Sequence, residues 1–430
     1  MFVSELKSGI DCPGSINNIF GPLLTTQQLN TILTTALRYP TLLSLTYQMD
    51  YDPEKPPCPY KPGFKVGISR VTPPLPYGKI GIDVHGWRDL RWWCVDIYSS
   101  TQTRVVMEYP PLDHDNRPAD PAWSGEPTAW LTIIRTLGER LIDAADDGSS
   151  VTCRSGPWIV VCFVIPIDPR EVPFEAVAKI YDPLYYPFGD QGLPYTRVNV
   201  AKLAEVDFTH EANALAHLQT KGQSGHVGLS CPEYYGAWSY NLPITYRGLR
   251  VQRCIRLVLM ELIRGPSLRS LTLTDAFSRY STDDRLETFA MVLDAAARQR
   301  FAGVHQGDLA ARNVVLRPSP PMSAANGARC LPQPVIIDYN RAVVYELSCL
   351  GRRGLQSEKL PDNPLQIFWD SSFSEFNLWL PPAFDSAAVR QEWLRRRFGQ
   401  GEAEKQYAPL NSLRLSTREK TKEAEETEEP

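Results

Sequence analysis

Four polar side chains have types and an order that could serve a single reaction. Lys179 lies in the run AVAKIYD, and Asp338 ends the run VIID. Between them in the chain, Asp308 and Asn313 lie five residues apart in GDLAARNVVL. Phosphoryl transfer needs a cation on the phosphates, a carboxylate and an amide to hold Mg²⁺, and a carboxylate near the attacking hydroxyl. The four residues therefore predict phosphoryl-transfer chemistry.

The elements that must position these side chains follow from the pattern of apolar residues. Runs rich in β-branched residues predict buried strands over Trp158–Ile165, Phe174–Asp182, Ile255–Ile263 and Val335–Asp338. Apolar residues at helical spacing predict helices over Asp207–Gln219 and Ser281–Val304. Thr282 is expected to cap the second of these helices, which leads directly into Asp308.

The remaining parts of the chain carry fewer signals. The same patterns predict helices over Thr25–Leu45 and Thr128–Gly148 and strands over Arg91–Ser100 and Thr103–Tyr109. Two proline-rich connections separate these elements, and the charged C-terminal end is poor in apolar residues. We therefore divide the chain into an α+β region of unknown role at 1–127, a catalytic domain at 128–405 and a disordered tail at 406–430.

The ordered set of motifs in residues 176–340 resembles a protein kinase-like domain. It is nearest to the fungal protein kinase-like and aminoglycoside-phosphotransferase-like branch of that superfamily. The resemblance implies an α+β fold: a two-lobed kinase-like domain with a shortened C-terminal lobe, preceded by the N-terminal α+β region. The segment Leu360–Gly399 resembles the shortened C-terminal helices of the fungal branch, and its aromatic residues are expected to form core.

The resemblance implies a nucleotide-binding role for five residues. Lys179 matches the strand lysine that neutralises the α- and β-phosphates, and Glu211 matches the helix glutamate that pairs with this lysine. Met260 falls at the gatekeeper position. Glu261 to Ile263 fall at the hinge whose backbone holds adenine.

The resemblance also implies the catalytic and metal-binding residues. Asp308 matches the catalytic-loop aspartate that orients a substrate hydroxyl and accepts its proton, and Lys179 and Asn313 complete the catalytic set. Asn313 matches the metal-binding asparagine, and Asp338 matches the aspartate of the D-F-G motif. ATP and Mg²⁺ are the expected cofactors.

The chain departs from the family pattern at the two central motifs. H-R-D becomes QGD, so that Gln306 replaces the histidine and Gly307 the arginine. A glycine before the aspartate is typical of small-molecule phosphotransferases. D-F-G becomes DYN, so that Tyr339 keeps an aromatic ring and Asn340 replaces the glycine.

Two further motifs of the family have no counterpart. No G-x-G-x-x-G precedes Lys179; the nearest glycines, Gly138, Gly148 and Gly156, have other spacings, and Gly138 is expected to lie in a helix. Nothing matches A-P-E after Asp338. Cradling of phosphates by a glycine-rich loop is therefore not predicted.

The overall composition limits which partners and which cellular compartment we expect. The 430 residues carry 45 Lys and Arg against 49 Asp and Glu, which offers no footprint for nucleic acid or an anionic membrane. The nine cysteines form no CxxC pair, no leader opens the chain, and the longest apolar run is too short to cross a bilayer. We expect a cytoplasmic or nuclear protein.

The sequence thus predicts an ATP- and Mg²⁺-dependent transferase acting on a hydroxyl. The acceptor is left open between Ser or Thr of a protein and a small molecule, because LAAR between Asp308 and Asn313 does not separate them. The alternative is a pseudokinase that binds nucleotide or acts as a scaffold without turnover. A third hypothesis makes the N-terminal region an interaction module.

Overall fold

The computed structural model describes residues 52–76, 100–108, 126–137, 156–188, 199–222, 231–318, 331–348, 360–401 and 405–410. The chain divides into two compact units, Met1–Pro53 and Glu54–Pro430. Only residues 52 and 53 of the first unit are described, so all that follows concerns the second. The helix predicted over Thr25–Leu45 and most of the strand predicted over Arg91–Ser100 lie outside the described residues.

The second unit mixes strands and helices along its length. The strands are β1 (Lys65–Val71), β2 (Ala129–Leu137), β3 (Trp158–Pro166), β4 (Phe174–Tyr181), β5 (Tyr234–Tyr246), β6 (Leu249–Met260), β7 (Val304–His305), β8 (Val314–Arg317), β9 (Gln333–Ile336) and β10 (Val343–Val344). The α-helices are α1 (Gln102–Glu108), α2 (Val200–Thr220), α3 (Leu268–Leu273), α4 (Thr282–Phe301), α5 (Pro364–Ile367) and α6 (Ala387–Phe398).

Six strands form a closed antiparallel barrel in the order β1-β2-β3-β4-β6-β5. β1 closes the barrel because its first half pairs with β2, with Lys65 opposite Thr132, and its second half with β5, with Ser69 opposite Ser239. Two small antiparallel sheets, β7 with β10 and β8 with β9, lie beyond the barrel in the chain. They carry the catalytic-loop motif and the strand that precedes Asp338.

β4 presents two different faces because side chains alternate along a strand. Ala176, Ala178 and Ile180 lie in the apolar core that fills the barrel. Val177 and Tyr181 belong instead to the core that contains α2. Lys179 lies between these two in the strand, so its side chain points from the barrel wall towards α2.

The two long helices begin at polar caps. Asn199 accepts a hydrogen bond from the N–H of Lys202 at the start of α2. Ser281 caps α4 in a reciprocal capping box with Asp284, which satisfies two N–H groups that have no partner inside the helix. The sequence-based prediction of Thr282 as the cap is wrong by one position, because the box needs Ser and Asp three residues apart.

A third core packs α4 against the C-terminal segment. It contains Phe289 of α4 together with Trp369, Phe376 and Trp379. The expectation that the aromatic residues of Leu360–Gly399 form core is confirmed. None of the described helices is both long enough and apolar enough to span a membrane.

The strands predicted around Lys179, at Ile255–Ile263 and before Asp338 are present, and so are the helices α2 and α4. Strand β6 begins at Leu249 and helix α2 at Val200, both well before their predicted starts. The helix predicted over Thr128–Gly148 is wrong in its described part, which forms strand β2 and ends at Leu137, whereas Gly138 lies outside the described residues. AWLTIIRTL contains several β-branched residues, and its alternate residues Ala129, Leu131 and Ile133 face the barrel core.

The strand predicted over Thr103–Tyr109 is also wrong, because this segment forms α1. Val105 packs in the core beside α2, and the side chain of Gln102 donates hydrogen bonds to the carbonyls of Pro183 and Tyr186. Tertiary contacts of this kind override the β propensity of the paired valines.

The boundary expected at 127/128 does not coincide with a division of the structure. β1 is a wall of the barrel, and the second unit begins at Glu54. The expected disordered tail at 406–430 includes Tyr407, which is 5% exposed and packs in the third core. Residues 411–430 lie outside the described residues.

Candidate active site

Lys179, Glu211 and Asp338 meet in one cluster of charges. Lys179 Nζ lies 2.6 Å from Glu211 Oε1, 2.8 Å from Glu211 Oε2 and 2.6 Å from Asp338 Oδ1. The side chains of Lys179 and Glu211 are 3% and 0% exposed, whereas that of Asp338 is 27% exposed. The ion pair between the lysine and the helix glutamate, expected from the resemblance, is therefore present.

The lysine remains charged in this cluster. Burial by itself lowers the pKa of Lys179, but the carboxylates of Asp338 and Glu211 raise it by more, so the net pKa lies above its usual value. Burial raises the pKa of Glu211, and the neighbouring Lys179 opposes this effect. The cluster is a buried ammonium with two carboxylates.

Glu211 has donors besides the lysine. The hydroxyl of Tyr181 donates to Glu211 Oε2 at 2.6 Å, and the backbone N–H of Tyr339 donates to Glu211 Oε1 at 3.2 Å. The strand, the helix and the segment after Asp338 are thus joined through one carboxylate. This arrangement fixes α2 against the barrel.

The loop between β7 and β8 holds Asp308 through the side chain of Gln306. Gln306 Oε1 accepts a hydrogen bond of 2.7 Å from the N–H of Asp308, and its Nε2 donates one of 2.8 Å to the carbonyl of Asp338. Gly307 between them has φ +80°, and a Cβ there would lie 2.3 Å from the carbonyl oxygen of Arg341. The QGD motif therefore ties the loop to the segment of Asp338 and needs glycine at its centre.

The carboxylate of Asp308 is held by two neighbours. Arg312 donates to its Oδ1 and Oδ2 at 2.7 and 2.9 Å, and Asn313 Nδ2 donates to its Oδ2 at 3.1 Å. Arg312 also donates to Glu375 from the C-terminal segment at 2.5 Å. Asp308 and Asn313, predicted to act together, are thus in direct contact.

Asn313 and Asp338 each have one side-chain oxygen that could accept a cation. Among the described residues, Asn313 Oδ1 and Asp338 Oδ2 accept no hydrogen bond. The two elements are adjacent, because the N–H of Ile337 donates to the carbonyl of Asn313 at 2.8 Å. Two oxygen donors completed by phosphate oxygens and water fit Mg²⁺, which uses few protein ligands. Within the described ranges, no cluster of three or more His, Cys, Asp or Glu side chains could hold a metal.

The predicted hinge follows directly on β6. Met260 is the buried last residue of β6 and lies opposite Val177 of β4. Within the described part of the chain, neither the carbonyl oxygen of Glu261 nor the N–H of Ile263 makes a hydrogen bond. The Glu261 carboxylate binds Arg317 of β8 at 2.7 Å through each oxygen. These two backbone atoms are available to a ligand, while the side chain of Glu261 anchors the hinge to β8.

An apolar surface connects the hinge to the lysine. Leu137 lies opposite Ile159, and Ile159 lies opposite Lys179, so these three residues share the outer face of β2, β3 and β4. Val177 and Met260 continue the same face. A flat apolar group bound here would have the lysine at one end and free backbone atoms at the other.

Sequence reasoning missed three contributors to this site. Tyr181 could have been found, because it lies two residues after Lys179 and so on the same face of a strand. Gln306 stands out in the sequence only as a departure from the family motif. Arg312 stands between Asp308 and Asn313 without an assigned role; its contact with Glu375 depends on tertiary structure that no local pattern encodes.

A fourth carboxyl group, Asp207, lies one helical turn before Glu211 and is 8% exposed. Burial, followed by the negative charges of Asp338 and Glu211, raises the pKa of Asp207 to about 7. The hydroxyl of Tyr186 contacts Asp207 Oδ2 at the long distance of 3.4 Å. Burial and the two neighbouring carboxylates therefore favour the neutral form of Asp207.

No protein-family model and no curated protein matches the chain. Among solved structures, the crystal structure of a kinase domain from Plasmodium is similar to it. The two chains are 14% identical over 50% of this chain and 51% of the other, with a TM-score of 0.28. The match spans about half the length of that domain, and so low a score carries no weight here. The geometry of the site is what supports a function.

Proposed function

We propose that the protein is an ATP- and Mg²⁺-dependent phosphotransferase with a kinase-like fold. The observation that carries the proposal is the convergence of Lys179, Glu211 and Asp338, joined through Gln306 to the loop of Asp308. In this view the barrel and the helical part act as the two lobes. The glycine before Asp308 favours the fungal and aminoglycoside-phosphotransferase-like branch.

The nucleotide would lie along the apolar surface. The base would contact Val177 and Met260, and its polar edge would meet the free backbone atoms of Glu261 and Ile263. The phosphates would lie at Lys179, which supplies the positive charge. These features support a purine nucleotide as the ligand.

Mg²⁺ would be held by Asp338 and Asn313 together with phosphate oxygens, and when bound it neutralises charge on the phosphates. Asp308 would orient the hydroxyl of the acceptor and accept its proton as that oxygen bonds to the terminal phosphorus. The bond between this phosphorus and the bridging oxygen would break at the same time, and ADP would leave with that oxygen. Arg312 would shift towards Glu375, its second partner, when the hydroxyl takes its place on Asp308. The acceptor is a protein Ser or Thr, or a small molecule with a hydroxyl.

A second candidate is a pseudokinase that binds nucleotide without turnover. Two observations favour it: both carboxylate oxygens of Asp308 already accept hydrogen bonds from Arg312 or Asn313, and no G-x-G-x-x-G lies between β2 and β3. Both candidates predict nucleotide binding. They differ in turnover.

The test combines binding with turnover. Thermal-shift titrations with ATP and Mg²⁺ are expected to raise the melting temperature of wild type and of Asp308→Asn equally, because Asp308 does not contact the nucleotide. ATP consumption with pooled protein and small-molecule acceptors is expected from wild type and to fall roughly 10²–10⁴-fold in Asp308→Asn. Binding without consumption would favour the pseudokinase, and absence of binding would refute both candidates.

A further inference from the structure

A second ion pair joins α2 to the barrel outside the cluster of Lys179. Arg256 Nε of β6 lies 3.0 Å from Glu205 Oε2 of α2, and the two side chains are 11% and 7% exposed. Within the described ranges, no ion pair or hydrogen bond joins either residue to Lys179, Asp308 or Asp338. The pair therefore has no direct part in the proposed chemistry.

Packed aromatic rings connect this pair to Glu211. The guanidinium of Arg256 lies 5.4 Å from the centre of the Phe208 ring, and Phe208 packs edge-on against Tyr181 with 5.5 Å between the ring centres. Tyr181 lies opposite Arg256 in the sheet, and its hydroxyl donates to Glu211. A change at Arg256 can therefore reach Glu211 through direct contacts.

Two ion pairs on one helix restrict its motion more than one pair can. Glu205 and Glu211 lie six residues apart, so their positions are separated by about 9 Å along α2. Glu211 pairs with β4 and Glu205 with β6, which are neighbouring strands of the barrel. A single contact leaves rotation of the helix about that point open, and the second contact restricts it.

The pair of Glu205 and Arg256 is poorly built for net stability. Burial raises the pKa of Glu205, and the positive charge of Arg256 opposes this effect. Among the described residues, Glu205 Oε1 and the hydroxyl oxygen of Ser239, opposite Arg256 in the sheet, are buried without a hydrogen-bond partner. A buried ion pair with incomplete hydrogen bonding adds little stability over apolar side chains of similar size. What this pair supplies is a fixed orientation of α2.

We infer that Arg256 and Glu205 are positioning residues that hold α2 in the orientation where Glu211 reaches Lys179. The inference rests on the proposed function, in which Lys179 carries the phosphates, and extends it to residues outside the nucleotide site. Without the pair, α2 would turn away from β4 in part of the molecules. Nucleotide affinity would then fall in proportion to the fraction that keeps the contact of Glu211 with Lys179.

Isothermal titration of the full chain with a non-hydrolysable ATP analogue and Mg²⁺ tests the inference. The double variant, Glu205→Gln with Arg256→Met, removes both charges and so leaves no unpaired charge buried. Its affinity is expected to be about three- to tenfold lower than that of wild type. In the background Glu211→Gln, the same two substitutions should have no further effect, because they act through Glu211.

A neighbouring ion pair on the same strand provides the matched control. Arg253 of β6 forms a buried ion pair with Asp182, and it lies on the face of β6 that points into the barrel, away from α2. The control variant, Asp182→Asn with Arg253→Met, removes two buried charges in the same way. It should keep the wild-type affinity for the analogue.

Amide hydrogen exchange gives a readout that needs no nucleotide. The N–H of Tyr339 donates to Glu211 Oε1, so its exchange reports whether Glu211 stays in place. The N–H of Ile337, which donates to the carbonyl of Asn313, corrects for unfolding of the whole chain. In the double variant, exchange at Tyr339 relative to Ile337 should be at least about tenfold faster than in wild type. The control variant should leave this ratio unchanged.

Several outcomes would overturn the inference. Either wild-type affinity or wild-type exchange at Tyr339 in the double variant would refute it and leave the nucleotide site intact. So would an equal change in the control variant, or a further loss of affinity in the Glu211→Gln background. If wild type itself does not bind the analogue, the proposed function fails, and exchange at Tyr339 still decides whether the pair positions α2.

Melting temperatures confirm folding of each variant. If the double variant is unfolded, Arg256→Lys replaces it, because an ammonium keeps the charge but not the geometry of the guanidinium. The same changes in affinity and exchange are then expected at a smaller size, and their absence would refute the inference.

Discussion

Tyr181 and Glu211 form a buried hydrogen bond of 2.6 Å between the phenol hydroxyl and Oε2, two residues along the strand from Lys179. Because hydrogen bonds to charged groups contribute about 1.5–3 kcal/mol, Tyr181→Phe is expected to lower the free energy of unfolding by that amount. Denaturant unfolding followed by circular dichroism measures it. The matched control is Tyr186→Phe, whose hydroxyl lies 3.4 Å from Asp207 and should matter less. Equal losses in the two variants would show that the hydrogen bond to Glu211 contributes no more than the longer contact of Tyr186 with Asp207.

Substitution of Gly307 is expected to distort the loop that holds Asp308. Gly307→Ala puts a Cβ 2.3 Å from the Arg341 carbonyl at φ +80°, which must move the loop that holds Asp308. Gly248, in the turn between β5 and β6, has φ +77°, and a Cβ there would meet no atom within 4 Å. Gly248→Ala should therefore cost only the backbone strain, about 1–2 kcal/mol, and Gly307→Ala distinctly more. Urea midpoints of the two variants compare them directly.

Asp207 makes stability depend on pH. Its folded-state pKa of about 7 lies above the ordinary value, so the folded state binds the proton more tightly. The contribution of Asp207 to the free energy of unfolding is highest in acid and falls as the pH rises towards 7. Asp207→Asn removes this loss of stability at higher pH, because the amide does not ionise. Its advantage over wild type should grow by on the order of 2 kcal/mol between about pH 5 and about pH 8. Unfolding of both proteins at each pH measures it, and an advantage that stays constant would contradict the buried-carboxyl assignment.

The capping box at α4 gives a test of one residue against its neighbour. Ser281→Ala removes the oxygen that accepts from the N–H of Asp284, and a loss of about 1 kcal/mol is expected. Thr282→Ala, at the first position inside the helix, should cost less than about 0.5 kcal/mol. Thermal unfolding of the two variants measures both losses. A larger loss in Thr282→Ala than in Ser281→Ala would show that Thr282 is the cap.

Much of the fold can be predicted where the pattern is local. The strand of Lys179 is apolar and β-branched, and the stripe of α4 repeats at helical spacing, so both predictions are correct. The segment of β2 resembles a helix in sequence because Trp130, Ile133, Ile134 and Leu137 also fit a helical period. Pairing with β1 and β3 in the barrel makes this segment a strand. Closure by β1 could not be predicted, because its pairing with β5 joins Ser69 to the distant Ser239.

For the site, the sequence predicts the residues and the pairing of Lys179 with Glu211, but not the other contacts. The order of the motifs assigns Asp338 a role separate from that pair. That one ammonium holds both carboxylates, and that the amide of Gln306 bridges two motifs, depends on distances that only the folded chain has. A substituted motif residue such as Gln306 therefore needs the structure before it can be given a role.

The buried pair of Lys179 and Glu211 leads to a last prediction about stability. Lys179→Met leaves Glu211 fully buried with no positive partner, and breaking a buried pair from one side costs roughly 3–5 kcal/mol. Glu211→Gln alone should cost less, because Lys179 keeps Asp338. In the double variant Lys179→Met with Glu211→Gln, both buried charges are gone, and the introduced side-chain amide can still accept from Tyr181. Its unfolding free energy should therefore exceed that of Lys179→Met by about 1–3 kcal/mol. Guanidinium unfolding of all four proteins gives the coupling energy, and strictly additive losses would show that the two charges do not depend on each other.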